Sequence, residues 1–92
     1  MKSIKNFRRF ARKEISRISM AIKQIEFRIM RFHGFLKRKL REELRELRRR
    51  RDAILQRLLE LRHDTHSPAM QAIRVDIAAL QERCRNLKTQ YL

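Results

Sequence analysis

Residues 40–91 read LREELRELRRRRDAILQRLLELRHDTHSPAMQAIRVDIAALQERCRNLKTQY. Apolar side chains recur there at alternating steps of three and four. One series is Leu40, Leu44, Leu47, Ile54, Leu58 and Leu61, with Arg51 interrupting it. The other is Met70, Ile73, Ile77, Leu80, Cys84, Leu87 and Tyr91. Such spacing lines one face of a helix and favours packing against another helix. Between the two lies Arg62-His63-Asp64-Thr65-His66-Ser67-Pro68. Ser67 followed by Pro68 is a start signal, a hydroxyl to cap free amides and then a proline at the first helical position.

A turn at 63–67 makes the flanking helices antiparallel, and the numbering tests this. Leu61 with Met70, Leu58 with Ile73 and Ile54 with Ile77 each sum to 131. So do Arg51 with Leu80, Leu47 with Cys84, Leu44 with Leu87 and Leu40 with Tyr91. An antiparallel pair opposes its seam positions at one constant sum, and all seven layers obey it. The expectation is an all-α chain with an antiparallel coiled-coil hairpin, about 36–63 and 68–91.

Upstream, Ile15, Ile18, Ile22, Ile25, Ile29, Phe32 and Leu36 form a third seam. It predicts a long basic amphipathic helix over about 3–33. Gly34, preceded by Arg31 and His33, resembles a helix stop. Yet no capping residue follows it, and Phe32, Leu36 and Leu40 give two steps of four that one helix can absorb. Two arrangements stay open: a three-helix bundle broken at Gly34, or one long kinked helix over residues 3–63 that needs a partner chain. The chain holds one Gly and one Pro, too few turn-makers for a β-protein. Ninety-two residues make one domain, 1–92, with a modest core.

Charge is divided unevenly. Residues 1–51 carry 19 of the 25 basic side chains and 5 of the 10 acidic ones, a net of +14. Most of the cations are Arg, which keeps its charge and bonds phosphate or carboxylate with a planar fork. A chain that repels itself this strongly implies a polyanionic partner. Nucleic acid, DNA or RNA, comes first, then an acidic protein surface, then an anionic membrane.

Two basic clusters stand out. One is Lys2, Lys5, Arg8, Arg9, Arg12, Lys13 and Arg17, interleaved with Phe7 and Phe10. The other runs from Lys37 to Arg51 and includes Arg38, Arg41, Arg45, Arg48, Arg49 and Arg50. Local pairs at a spacing of four, Arg38 with Glu42, Lys39 with Glu43 and Glu46 with Arg50, answer part of this charge and make a self-paired solvated face the plain alternative. Two features point past it. Arg48 to Arg51 encircles the helix, and the antiparallel register sets Arg50 against Arg83 and Arg41 against Lys88, with only Arg57 and Asp76 complementary. The second cluster contains no aromatic, so base stacking is not its mechanism. With no zinc-finger spacing or recognition module, contact with phosphate backbone is expected rather than base reading.

Phe10, Met20, Phe27 and Met30 fall outside the seam of the first helix and mark a candidate protein-docking face. The plain alternative is packing against the hairpin plus a second copy, a membrane-surface helix is a further reading, and a homodimer is expected. Leu55 and Leu59 widen the apolar face of the hairpin, with core packing as their default. Arg51, opposite Leu80, is expected to snorkel, its stem packed and its charge at the edge.

No nucleophile–base set, paired carboxylates in an apolar pocket or glycine-rich phosphate loop is present, so catalysis is not expected. His63 and His66 bracket Asp64 but lack the further ligands of a metal site, and no cofactor is expected. Cys84, the one cysteine, reads as a small core residue of a chain in a reducing, cytoplasmic setting. The basic, acid-poor start superficially resembles a transit peptide, but its pattern continues well beyond such a segment. The function expected is non-catalytic binding to duplex DNA or structured RNA in a regulatory role, with a protein-binding adaptor or inhibitor as the alternative.

Overall fold

The computed structural model describes residues 4–61 and 67–91. Three α-helices follow in order: α1 (Ile4–Ile29), α2 (Gly34–Leu59) and α3 (Ser67–Tyr91). Each packs against both others, and together they form a rod of 50 × 16 × 16 Å. The arrangement is a three-helix bundle, and the continuous long helix is excluded.

The chain reverses after Ile29. The amides of Arg31 and Phe32 bond back to the carbonyls of Arg28 (3.2 Å) and Ile29 (2.9 Å), closing a tight turn instead of continuing α1. His33 is extended at φ −134°, and no side chain caps the start of α2. Gly34 then takes φ +66°, the left-handed region that costs a residue with a Cβ about 1–2 kcal/mol. A Cβ there would meet nothing within 4 Å, so the requirement lies in the backbone rather than in space.

Helix bounds shift accordingly. α1 stops at Ile29 rather than 33, and α2 begins at Gly34 rather than 36 and closes at Leu59 rather than 63. Phe32 lies in the reversal and continues no helical seam, whereas Leu36 extends the α2 seam one turn before Leu40; both are half-buried against the core. The paired steps of four are therefore a turn, not a stutter. The expected turn at 63–67, with His63, Asp64 and His66, lies outside the described residues except for Ser67, where α3 begins.

The core follows the seams. Leu40, Leu44, Leu47, Ile54, Leu58 and Leu61 are buried, as are Ile73, Ile77, Leu80, Cys84 and Leu87. Along α1 the buried series runs Phe7, Ala11, Ile15, Ile18, Ile22, Ile25 and Ile29. Two of these, Phe7 and Ala11, extend the seam beyond its expected start, so Phe7 belongs to the core rather than to the basic cluster.

Numbering ties α1 into the same layers. Ala11 with Leu58, Ile15 with Ile54, Ile18 with Arg51, Ile22 with Leu47, Ile25 with Leu44 and Ile29 with Leu40 each sum to 69. Hydrogen bonds across the bundle fall on or next to these registers, from Arg8 to the Leu61 carbonyl, Arg51 to Ser19 and Arg57 to Asp76. Each layer takes one side chain from each helix, for example Ile15, Ile54 and Ile77, all buried. The seam of α1 is thus covered by the chain's own hairpin, and burying it does not require a second copy.

Candidate functional site

A helix turns 100° per residue, so positions opposite a buried seam face solvent. On α1 these are Lys5, Arg9, Lys13, Ser16, Met20, Lys23 and Phe27, all exposed. The only carboxylates of α1, Glu14 and Glu26, turn sideways to neighbours. Glu14 accepts from Arg17 at 3.2 Å and from Gln81 of α3 at 2.6 Å. Glu26 accepts from Arg48 of α2. The outward face of α1 therefore holds no acid.

The first cluster divides on inspection. Arg8 is half-buried and donates to the Leu61 carbonyl, satisfying a backbone acceptor just past the end of α2; it ties α1 to the hairpin. Arg9, Arg12 and Lys13 are exposed and enter no ion pair among the described residues. Phe10 is 39% exposed, and Arg74 of α3 lies over its ring at 4.6 Å and over that of Phe7 at 5.3 Å. Phe10 is thus partly covered from within.

On α2, Arg38, Arg41, Arg45 and Arg50 are exposed and also without an ion pair among the described residues. Arg48 pairs with Glu26, and Arg49 with Glu46 at 2.7 Å. The hydrogen bond from Arg49, helped by the charges of Arg49 and Arg50 against a cost of desolvation, holds the Glu46 carboxyl below its ordinary value. The local pairs expected at a spacing of four do not form. Glu46 takes Arg49 instead of Arg50, Glu43 takes Arg83 of α3 at 2.6 Å, and Lys39 lies over the Tyr91 ring at 5.9 Å.

Glu43 and Gln24 also remove the expected like-charge clashes. Arg83 turns to Glu43 rather than facing Arg50, and Lys88 donates to Gln24 of α1 at 2.7 Å rather than facing Arg41. Those two positions no longer ask for an outside anion. The third helix supplied what a two-helix register could not show. Arg57 and Asp76 pair as expected.

Arg51 sits in the layer of Ile18 and Leu80 with its side chain 25% exposed. Its guanidinium reaches Asp52 at 3.1 Å and the Ser19 hydroxyl at 3.4 Å. The stem packs and the charge reaches the edge, as snorkelling requires. Cys84 is buried, and desolvation, opposed by the charge of Lys88, pushes its thiol above the ordinary value; it is a core residue.

Apolar side chains also stand in solvent. Met20, Phe27 and Met30 are 62%, 69% and 66% exposed. Phe35 is more exposed than these; its place outside the seam series, next to Gly34, is the signal the sequence holds for it. Leu55 and Leu59 are exposed as well, so α1 does not cover the strip they form.

In residues 4–51, the basic side chains in ion pairs are Arg17, Arg48, Arg49 and Arg51. Most of the positive charge of this half is therefore unanswered within the described residues. No described helix is long and apolar enough to cross a membrane. No family model matches the chain, and neither a curated protein nor a solved structure matches it.

Proposed function

We propose that this protein is a non-catalytic nucleic-acid-binding protein that grips the phosphate backbone of duplex DNA or structured RNA. One observation carries the proposal: Arg9, Arg12, Lys13, Arg38, Arg41 and Arg45 stand exposed on the rod with no carboxylate paired to them among the described residues. Folding alone does not explain them, because the core is complete without them. A phosphate polymer neutralises such side chains and releases its condensed counterions. Arg8 supports the surface by holding α1 on the hairpin, while Arg48 and Arg49 are already half-engaged. Fluorescence anisotropy on duplex DNA, single strands and structured RNA tests the proposal. Affinity is expected to fall by about 10³-fold or more between about 50 and 200 mM salt if about six phosphates are contacted. Absence of binding at the lower salt ends it.

The exposure of Met20, Phe27 and Met30 favours a second reading, an adaptor or inhibitor whose α1 docks on an acidic protein surface. Its signature is capture of a protein that survives nuclease treatment and is lost on Phe27→Ser with Met30→Ser. A nuclease-sensitive capture that ignores these substitutions eliminates it.

A further inference from the structure

The unpaired cations are not spread evenly along the rod. Arg12, Ser19 and Glu26 lie seven apart and share the flank of α1 that faces α2, because Ser19 bonds Arg51 and Glu26 bonds Arg48. By the same spacing Arg41, Arg48 and Leu55 share the facing flank of α2. Reading along this seam from the Gly34 end gives Arg41 with its neighbours Arg38 and Arg45, then the Glu26–Arg48 pair, then Ser19 and Leu55, then Arg12 with Arg9 and Lys13. The bond from Arg8 to the Leu61 carbonyl places that last group at the opposite end.

On the flank shared by α1 and α2 the middle is neutralised from within. Arg48 has Glu26, Arg49 has Glu46, Arg51 has Asp52 and Arg17 has Glu14. Lys23 on the outward face of α1 and Arg50 on the α3 side of α2 stay exposed and enter no ion pair among the described residues. Met20 and Leu55 are the exposed apolar residues between the two groups. At 1.5 Å per residue, the centres of the two unpaired groups are about 25–30 Å apart.

We infer that the rod carries two separate phosphate-binding poles, Arg9/Arg12/Lys13 and Arg38/Arg41/Arg45, and that its ligand is a double helix long enough to meet both. This rests on the nucleic-acid reading above and specifies its substrate. At about 3.4 Å of axis per nucleotide of each strand, the poles are about 8 base pairs apart. That is less than one turn of about 34–36 Å, so a rod laid along a duplex meets two stretches of backbone at once. Engaging the second pole becomes an intramolecular event, and a duplex too short to reach it forfeits that gain. A flexible acidic peptide offers charge but no fixed spacing.

The test measures affinity and its salt dependence for hairpin-capped duplexes of about 6 and about 16 base pairs, the two sides of the calculated span. The proteins are the wild type, R9Q/R12Q/K13Q, R38Q/R41Q/R45Q and, as a control on α3, R85Q. All substituted residues are exposed, and circular dichroism confirms that each variant keeps the bundle. The wild type is expected to bind the long duplex more than tenfold tighter than the short one. Either pole variant abolishes that gain, lowers affinity for the long duplex on the order of 50-fold and reduces the slope of log K against log salt by about 2.7. R85Q changes affinity less than threefold. A salt-sensitive wild type with no length gain, or a pole variant that keeps it, overturns the two-pole inference while leaving backbone binding intact. No duplex binding at about 50 mM salt removes both. A polyglutamate chain of matched charge that competes as well as the long duplex also overturns the inference, by showing that charge suffices without spacing.

Discussion

α1 buries Ile15, Ile18, Ile22 and Ile25, and α3 buries Ile77, Leu80, Cys84 and Leu87 in the same four layers. Half a revolution away, α1 shows solvent Arg9, Lys13, Met20, Lys23 and Phe27, while α3 shows Gln71, Val75, Ala78, Glu82, Arg85 and Thr89, with Arg85 paired to Glu82. The inner faces are interchangeable in kind because one core imposes one demand on both. The outer faces owe nothing to that core, and there the helices part company. A cationic outer face on α1 is therefore not a by-product of making the bundle, since the outer face of α3, where Glu82 balances Arg85, carries no net charge. The difference separates what folding requires from what remains for a ligand.

That separation can be broken most directly within α1 itself. Ile25→Ala removes a fully buried side chain and is expected to cost about 2–5 kcal/mol, with Leu87→Ala in the same layer costing a similar amount. Phe27→Ser, two residues along but outward, is expected to change stability by less than about 0.5 kcal/mol. Urea titrations of the three variants decide it. A large loss for Phe27→Ser would show that the outer face is structural after all.

The comparison sharpens at the layer where the core itself carries a charge. Arg51→Leu places an apolar side chain between Ile18 and Leu80 and gives up bonds to Asp52 and Ser19. With most of the guanidinium's interaction solvent-screened, the expected outcome is a gain of about 1 kcal/mol. For a chain of this size, that raises the melting temperature by about 4–8 °C. A lower melting point, or a mixture of oligomers on sizing, would mean that Arg51 holds the register and is not merely accommodated.

An effect of similar size and opposite sign is expected at the join between α1 and α2. Gly34→Ala forces a Cβ into a left-handed conformation without any steric contact, so the cost is backbone strain alone, about 1 kcal/mol. Thermal melts measure it. A stabilised variant, or one that dimerises through a fused α1–α2 helix, would show that the reversal is weakly held.

Much of this molecule was legible before any coordinates, for a definite reason. Helix seams are periodic, and antiparallel partners oppose their seams at a constant sum of residue numbers. Thus Leu58 with Ile73 and Ile54 with Ile77 could be paired on paper. Periodicity is a local property, and it also yields the amphipathic α1 and its basic outer face. The candidate site was legible as a list of cations, since exposure and charge follow from position on the wheel.

What the linear chain could not decide was how a third helix closes on the other two. The residues flanking Gly34 admit both a stutter and a turn, and only the free energy of covering the Ile seam of α1 selects the turn. Closure then reassigns side chains by proximity in space: Phe7 goes inward, Arg8 reaches Leu61, Glu26 claims Arg48, Glu43 claims Arg83, and Gln24 claims Lys88. Those partners lie 22 to 64 residues apart wherever Glu26, Glu43 and Gln24 are concerned, beyond the reach of any helical period. The sequence alone determined how much positive charge faces outward; the tertiary structure decided which of it is left unpaired, because pairing depends on distance across the bundle and not along the chain.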